Sequence, residues 1–576
     1  MINFEWLDNL IPYYKFATNS LKKDCVFLVG GIIRDLLIWK QTDNFTDIDI
    51  TCSDDPEKLY KQIDQKDIHI FKTEKFGTIT VLPKDKSCQY ETTPFRTEWV
   101  YEDVRHPSEL EWTDSLWKDS LRRDFTINCL YYTYVEFDKE KPSRADLSKI
   151  FSKSLLQKIG NPFTIKKHKK DILLKRLKAR WIVYLSEYNL LIIQNQEIVE
   201  NITDCGNINK EILASLINLN DIEDLHIIID PHWWIVDIAR QKLKAVGIAD
   251  DRFQEDALRV IRAIRFIAIL NEEKNVSFDF DPETWGACKK NYYLVDEVAK
   301  ERIVQEMVKV FKKWNAFGFI GMMEELNLLK YIFPALDRTI GNKQPTRYHP
   351  LDTYSHSILC LYHLQEINDN YLVRFGMLYH DVGKPDQYYW AGIKMKDEDR
   401  QKLYSSYVNH PVVGAHLTQK DFKRLGFSKK EWEEISFYVR YHLLPGELIQ
   451  MSEKNRSKNI NKYISKYGLD MLLNLCDICI GDRRWQYNPL QKSDDESIFD
   501  LKKEISRIYE DIGRITLADI VVDGNTLMTE LWVKWGPILG KILNKLLELV
   551  LEDPSRNEKE TLMNEAKRIL DEEENK

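Results

Sequence analysis

Residues 25–50 read CVFLVGGIIRDLLIWKQTDNFTDIDI. The run CVFLV has the composition of a short buried strand, Gly30 and Gly31 mark a turn, apolar residues recur at helical spacing from about Ile32, and DIDI alternates as a second strand. Glycines at this turn let the backbone come close to a ligand, and the helix start behind them offers free N–H groups and a positive dipole end to phosphate. Arg34, one turn in, adds a charge-assisted donor. Asp47 and Asp49 lie two apart on the strand, so their side chains leave one face and can share a hard cation such as magnesium. A cation held there would bridge phosphate oxygens and ease ionisation of an attacking hydroxyl.

Working outward, KFGTITVLP (75–83) and CQYETTPFR (88–96) read as further strands of the same sheet. Glu91 is a candidate third carboxylate, or equally a surface glutamate of its strand. SLRRDFTINCLYY sets Arg122, Arg123 and Asp124 ahead of an apolar run, where two adjacent arginines can pair with phosphates. Further on, the helical pattern of 249–270 carries EDALR. Asp256 and Arg259 are three apart and are expected to share a helix face, an acceptor beside a forked donor. Cytosine and adenine each offer an exocyclic amine beside a ring-nitrogen acceptor, so this pair suits C and A and opposes G and U. Each buried mismatched polar group costs about 1–3 kcal/mol.

Composition bounds the rest. With 576 residues, 43% hydrophobic and 30% charged, the chain has enough material for two or more folded domains. The start MINFEWLDNL lacks a basic, then apolar, leader, no run approaches the length of a membrane span, and nine scattered cysteines form no disulfide framework. A cytoplasmic protein without a membrane partner is expected. The net charge of -8 does not advertise nucleic acid, so local patches must decide. The strongest, KKHKKDILLKRLKAR (166–180), reads equally as a phosphate-binding patch and as a solvated helix face.

LVGGIIRD, DIDI, KFGTITVL, YEDVRHP and RRDFTINC together resemble the head of the class II tRNA nucleotidyltransferase and poly(A) polymerase family, within the DNA polymerase beta superfamily. The resemblance implies that Gly31, Arg34 and Arg123 bind the nucleotide, that Asp47 and Asp49 hold magnesium, and that Tyr101–Pro107 is a flexible loop used in passing from C to A addition. It continues through EDALRVIRAIRF, which is similar to the family's nucleotide-selecting neck and implies that Glu255 braces the pair and that Arg262 lies near the nucleotide. Two departures stand out: DPHWWIVD at 230–237 replaces a DPFGG-like sequence, and 137–225 stand where the family has a short connection. That insertion is either an extra tRNA contact or an elaboration outside the chemistry.

Residues 349–482 carry His356, His380, Asp381, His410, His442 and Asp477 on mainly helical patterns. Imidazole and carboxylate suit zinc, manganese, iron or nickel, and the adjacent His-Asp pair can bridge one or two ions. The order H, HD, H, H, D resembles the HD phosphohydrolase superfamily, which implies a divalent transition metal at His356, His380, Asp381 and Asp477, second-ion ligands His410 and His442, and Lys384 near phosphate. Cys476 and Cys479 form a single CxxC and are expected in a helix core. ADIVVDGNTLM and WVKWGPILGKILNKLLELVLED resemble the family's tRNA-gripping tail, with Lys534, Lys541 and Lys545 as phosphate contacts.

The expectation is therefore α+β: a small mixed-sheet, DNA polymerase beta-like nucleotidyltransferase head (1–136 and 226–248) with an insertion of unknown fold (137–225), then an all-α neck and body (249–340), HD domain (341–490) and tail (491–576). Addition of CCA to tRNA from CTP and ATP is the leading expectation. A-only or poly(A) addition, or a protein-uridylylating regulator that also pairs these modules, are the alternatives. Oligomeric state is left open.

Overall fold

The apolar run Phe27–Val29 is wholly buried and forms β1. Gly30, at φ +77°, then turns the chain into the helix Gly31–Ile38, whose Ile32, Ile33, Leu36 and Leu37 are buried. The computed structural model describes residues 5–574 apart from 137–180, 204–223, 344–350, 386–408, 485–494 and some shorter stretches. In β2 (Asp47–Cys52), Ile48, Ile50 and Cys52 face the core while Asp47 and Asp49 leave the opposite side, the alternation a half-buried strand requires. Next come β3 (Ile68–Thr73), β4 (Thr78–Pro83) and β5 (Gln89–Pro94). Two strands, β6 (Arg96–Asp103) and β7 (His106–Trp112), then form a two-stranded sheet among the described residues.

The stretch Tyr101–Pro107 was expected as a loop. Its described backbone is instead paired, with Tyr101 opposite Pro107 and Asp103 opposite His106. Aromatic and β-branched residues in RTEWVYED favour this ribbon.

Among the described residues, the main sheet holds ten strands in the order β11-β10-β9-β12-β8-β1-β2-β5-β4-β3, where β8 is Tyr131–Glu136, β9 Trp181–Ser186, β10 Asn189–Gln194, β11 Glu197–Thr203 and β12 Asp224–Asp230. Pairing is parallel for β2 with β5 and for β9 with β12, and antiparallel elsewhere, so the sheet is mixed. The described part of the 137–225 insertion thus prolongs the head sheet as a meander of three strands. The basic stretch 166–180 lies outside the described residues.

Two compact units divide the chain, Met1–Val298 and Ala299–Lys576. The boundary falls inside the segment 249–340 that was expected as one neck and body. Its first part belongs with the head because Asp250 binds Lys290 and Asn291, tying the helix Ala249–Glu255 to Pro282–Asn291, while Phe125 bridges Ala245 across the backbone. Among the described residues, the named elements of the second unit are all helices. Its tail has a core of its own, with Ile520, Val522, Leu527, Ile542, Leu546, Leu562 and Ala566 packed between Pro537–Glu552 and Lys559–Glu574.

Arg374 organises the front of this second unit. Its buried guanidinium donates to the carbonyls of Phe311 (2.8 Å), Lys313 and Asn368 (2.9 Å), satisfying the open C-terminal end of the helix Lys300–Phe311. Arg374→Met keeps the volume but strands these carbonyls, so it should lower unfolding free energy by about 3 kcal/mol. Urea titration of the variant reads this directly; an unchanged midpoint would mean that water replaces the guanidinium.

Candidate active site and metal centre

In the parallel pair β2 and β5, Asp49 stands opposite Glu91 and Asp47 opposite Gln89. Register therefore puts Asp47, Asp49 and Glu91 on one face, three hard oxygen donors that suit magnesium. Gly30 closes this site from the side. A Cβ there would lie 3.2 Å from Asp49 Oδ2, and the left-handed backbone adds to the demand for glycine. Asp49 still meets solvent, yet its carboxyl is raised to about 6, first by the protein enclosing it and then by Glu91 and Asp47, against the pull of Arg123 and Arg34. Crowded carboxylates facing two arginines form a surface for a cation and a polyphosphate together.

The arginines are held from below. Asp119 is fully buried and takes Arg122 Nε (2.8 Å) on Oδ1 and Arg123 Nη2 (3.1 Å) and the Tyr131 hydroxyl (2.9 Å) on Oδ2. Asn128 links the next members: its carbonyl accepts from Arg123 (3.2 Å), its Oδ1 from Arg34 (3.0 Å), and its amide donates to Asp124 (2.9 Å). Asp124 pairs with Arg262, Nε to Oδ2 2.7 Å; burial alone would raise its carboxyl, but Arg262 and Asn128 hold it well below the usual range. Arg34, Arg262 and Arg265 all lie over the Phe266 ring, at 5.3, 5.5 and 3.8 Å from its centroid.

The continuous helix face expected for Asp256 and Arg259 does not form. The helix ends at Glu255, Asp256 is extended (φ −149°, ψ 101°), and a new helix runs Leu258–Leu270. A short carboxylate competes with the backbone here, for Asp256 Oδ1 accepts the Leu258 N–H at 3.1 Å. Arg259 donates to Glu255 Oε2 and the Arg252 carbonyl, both at 2.8 Å, and to the Arg122 carbonyl at 3.4 Å. Arg252 grips the carbonyls of Leu121 (2.7 Å) and Arg123 (3.1 Å). The kinked EDALR segment is thus bolted to the arginine pair of the head.

DPHWWIVD also has a place. Asp230 Oδ1 caps the helix Trp234–Ala239 through the Trp234 N–H (2.9 Å), and His232 Nε2 meets Ser120 Oγ at 3.0 Å while its ring packs on Trp117. It so braces the helix Leu116–Leu121 that carries Asp119.

In the second unit, His356 and Cys360 come from the helix Thr353–Gln365, His380 and Asp381 follow Tyr371–Tyr379, His410 opens His410–Leu425, and His442 ends Lys429–Tyr441. His380 Nε2 lies 3.3 Å from His356 Nε2, and His410 Nε2 lies 3.1 Å from His442 Nε2. The Nδ1 atoms of His380 and His442 face the carbonyls of Met377 (2.7 Å) and Val439 (2.8 Å), so those N–H groups point away and the Nε2 lone pairs point inward, as metal ligands do. Burial, with His410 and His380 nearby, pushes His442 down to about 3.

Asp381 spans both halves, Oδ2 at 3.2 Å from His380 and Oδ1 at 3.2 Å from His410, and Lys384 pairs with it. Among the described residues, the groups whose donor atoms all lie within 4.8 Å of one another are His356, Cys360, His380 and Asp482, and Asp381, His410 and His442. Asp477 was expected here and is displaced by Asp482, 3.0 Å from His356. Five residues along one helix turn the side chain well round the axis, and Asp477 instead binds Lys502 (2.6 Å) and Asn368 (3.0 Å). The second set closes because Gly383 and Gly414 touch: a Cβ on Gly383 would stand 2.1 Å from the His410 carbonyl and 2.5 Å from Gly414 N.

Sequence comparison now bears on both sites. Residues 26–144 match the poly A polymerase head domain, 277–340 the family described as "Probable RNA and SrmB- binding site of polymerase A", 353–484 the HD domain and 453–566 tRNA nucleotidyltransferase domain 2. A CCA-adding enzyme of Ligilactobacillus salivarius is 24% identical over 95% of this chain and 93% of its own length. One from Listeria innocua is 29% identical over 53% of this chain and 51% of its own length. The chain belongs to the class II CCA-adding enzyme and poly(A) polymerase family, with an HD domain. The fold agrees: the Bacillus stearothermophilus CCA-adding enzyme, solved with CTP, matches at TM-score 0.53 and 17% identity, covering 98% of this chain and 100% of that chain. This member of the family is a nucleotidyltransferase of the tRNA-processing kind, and no described helix is long and apolar enough to cross a membrane.

Several supporting residues of this family member escaped the sequence reading. Asp119 had a signal, since it stands three and four residues before Arg122 and Arg123 on a helix. Asn128, which reaches Arg34 across 94 residues, and Tyr131, 12 residues from Asp119, had none, whereas Cys360 had one, standing one helical turn after His356. The tail lysines are less informative, because Lys545 lies 3.9 Å from Glu572 and Lys534 is outside the described residues. Cys476 and Cys479 are buried in their helix, as expected.

Two outcomes follow from these contacts. His232 is pushed from an ordinary 6.5 down to about 4 by burial, with Arg252, Arg123 and Lys244 adding to it. Above pH 6.5 both folded and unfolded imidazoles are neutral and its stability contribution is complete; as pH falls towards 4 the unfolded chain takes the proton first and that contribution is lost. Denaturant midpoints across this window should fall less steeply in His232→Gln, and equal slopes would assign the acid loss elsewhere. In the HD domain, Gly383→Ala should destabilise by about 1–3 kcal/mol through forced separation of backbones and should empty the metal site. Gly540→Ala, which meets nothing within 4 Å, is the control that should leave metal content untouched.

Proposed function

We propose that this enzyme adds C, C and A to the 3′ end of tRNA, using CTP and ATP. The terminal hydroxyl attacks the α-phosphorus, the bond to the β-phosphate oxygen breaks, and pyrophosphate leaves with the chain one nucleotide longer. The observation that carries the reading is the register of Asp49 against Glu91 beside Arg123, because it sets three carboxylates and a fixed guanidinium on one face. Asp47, Asp49 and Glu91 are the residues that would hold magnesium, whose charge polarises phosphate oxygens and eases loss of the hydroxyl proton.

The other roles belong to the chain itself. Gly30, Gly31 and the N–H groups of the helix start receive the phosphates, and Arg34, Arg122 and Arg123 add forked donors. Asp256 and Arg259 read the base, the carboxylate taking the exocyclic amine and the guanidinium the ring nitrogen, while Glu255 and Arg252 brace Arg259. Asp124 holds Arg262 at the edge of this site. The described tail supplies a separately cored module for gripping tRNA. In the HD domain, His356, His380, Asp381 and Asp482, with His410 and His442, are the residues that would hold a transition metal for phosphoester hydrolysis, and Lys384 stands by for phosphate.

A-only or poly(A) addition is a second reading, favoured by the match of residues 26–144 to the poly A polymerase head. Labelled tRNA ending at the discriminator base, supplied with magnesium and each nucleotide singly and in pairs, separates the readings. Two C residues followed by one A are expected. A single A on tRNA already ending in CC, or a long A tract, would retain the site and replace the substrate. In the same assay Asp49→Ala and Asp47→Ala should each slow addition about a thousandfold, some 4 kcal/mol of lost charge stabilisation, with tRNA binding largely kept. An equal loss of binding would make these carboxylates structural.

A further inference from the structure

Asn128 is uncharged and half-buried, yet it stands where three charged groups of the head meet. It closes the one-turn helix Thr126–Asn128, with its N–H donating to the Phe125 carbonyl at 3.0 Å. Thr126 anchors that turn, its N–H on the Lys244 carbonyl (2.9 Å) and its hydroxyl on Asp237 (3.0 Å). Arg34 Nη1 donates to Asn128 Oδ1 at 3.0 Å, Asn128 Nδ2 donates to Asp124 Oδ1 at 2.9 Å, and Arg123 Nη1 donates to the Asn128 carbonyl at 3.2 Å. A guanidinium can only donate and an ionised carboxylate can only accept, so the amide has one orientation here and both of its ends are used. A carboxylate of the same shape would set like charges against each other at Asp124, and an alkyl group would offer neither partner a hydrogen bond.

The two side-chain partners lead to different parts of the site. Arg34 is held on its other side by Asp35, Nε to Oδ1 2.6 Å, and its Nη2 faces the glycine turn, where a Cβ on Gly31 would lie 3.5 Å from it. Asp124 holds Arg262 of EDALRVIRAIRF through Nε (2.7 Å) and Nη2 (2.5 Å). Resting on the reading of Arg34 as a phosphate donor, we propose that Asn128 is a positioning residue for nucleotide addition. Its amide fixes Arg34 at the Gly31 turn and ties it to the Asp124 and Arg262 pair, so that the phosphate-receiving turn and the neck segment keep one spacing. Asn128 acts through these groups and makes no contact with the nucleotide itself.

The test is steady-state addition of one nucleotide by the full-length protein with magnesium at pH 8, CTP to tRNA ending at the discriminator base and ATP to tRNA ending in CC. Parent, Asn128→Ala, Arg34→Ala and the double variant are compared. Asn128→Ala should lower kcat/KM for the nucleotide about tenfold to a hundredfold, mainly through KM, while tRNA affinity stays at the parent's value. The double variant should fall far short of the product of the two single losses, because without Arg34 the amide has little left to place. Asn128→Asp keeps the shape and should also lose activity, since its carboxylate opposes Asp124; parent-like addition by this variant would reduce Asn128 to a space-filler and overturn the proposal. Single losses that multiply, or an equal loss of tRNA binding in Asn128→Ala, would overturn it as well and leave Arg34 in the nucleotide site. Full activity in Arg34→Ala would remove Arg34 from that site, and with it both this proposal and the phosphate role on which it rests.

Discussion

A fully buried carboxylate, Asp119, sets the geometry of the head. An anion taken out of water must be paired and hydrogen-bonded, and this one is met by two guanidiniums, a phenol and the Arg96 N–H. Satisfying it fixes Arg122 and Arg123, and Arg123 in turn is the strongest cationic influence on Asp49. The backbone carbonyls of Leu121, Arg122 and Arg123 are then gripped by Arg252 and Arg259. The arginine pair of the head and the EDALR segment are so joined through one short stretch of backbone.

The second unit uses a similar device for a different end. Asp381 is buried and divided between His380 on one oxygen and His410 on the other, with Lys384 alongside. The contact of Gly383 with Gly414 sets how closely those partners approach. In the head, the shared carboxylate fixes two guanidiniums; here, it joins two sets of imidazole side chains. In both, the polar groups are held by the fold itself, which is what preorganisation requires.

The motif-bearing turns were legible because their chemistry is local. GGIIRD and DIDI specify strand, turn, helix and strand by periodicity alone, and alternation places Asp47 and Asp49 together. Legibility failed where two local options competed. Asp256 can continue a helix or cap the next one, and the capping bond to Leu258 breaks the expected face. Asp477 and Asp482 share a helix within CDICIGD, and no local rule tells which of them turns inward. The insertion had strand-like residues but no visible partner, since pairing of β9 with β12 joins segments far apart in the chain.

By itself, then, the sequence determined the family, the mixed-sheet head with its helical remainder, and the residue types at both centres, because these rest on short-range spacing and periodicity. Tertiary structure alone decided which carboxylate completes the HD cluster, that Glu91 stands level with Asp49, and that Asn128 ties Arg34 to Asp124. Those facts depend on strand register, helix rotation and the burial of charge, which arise when distant segments pack together and which no local pattern encodes.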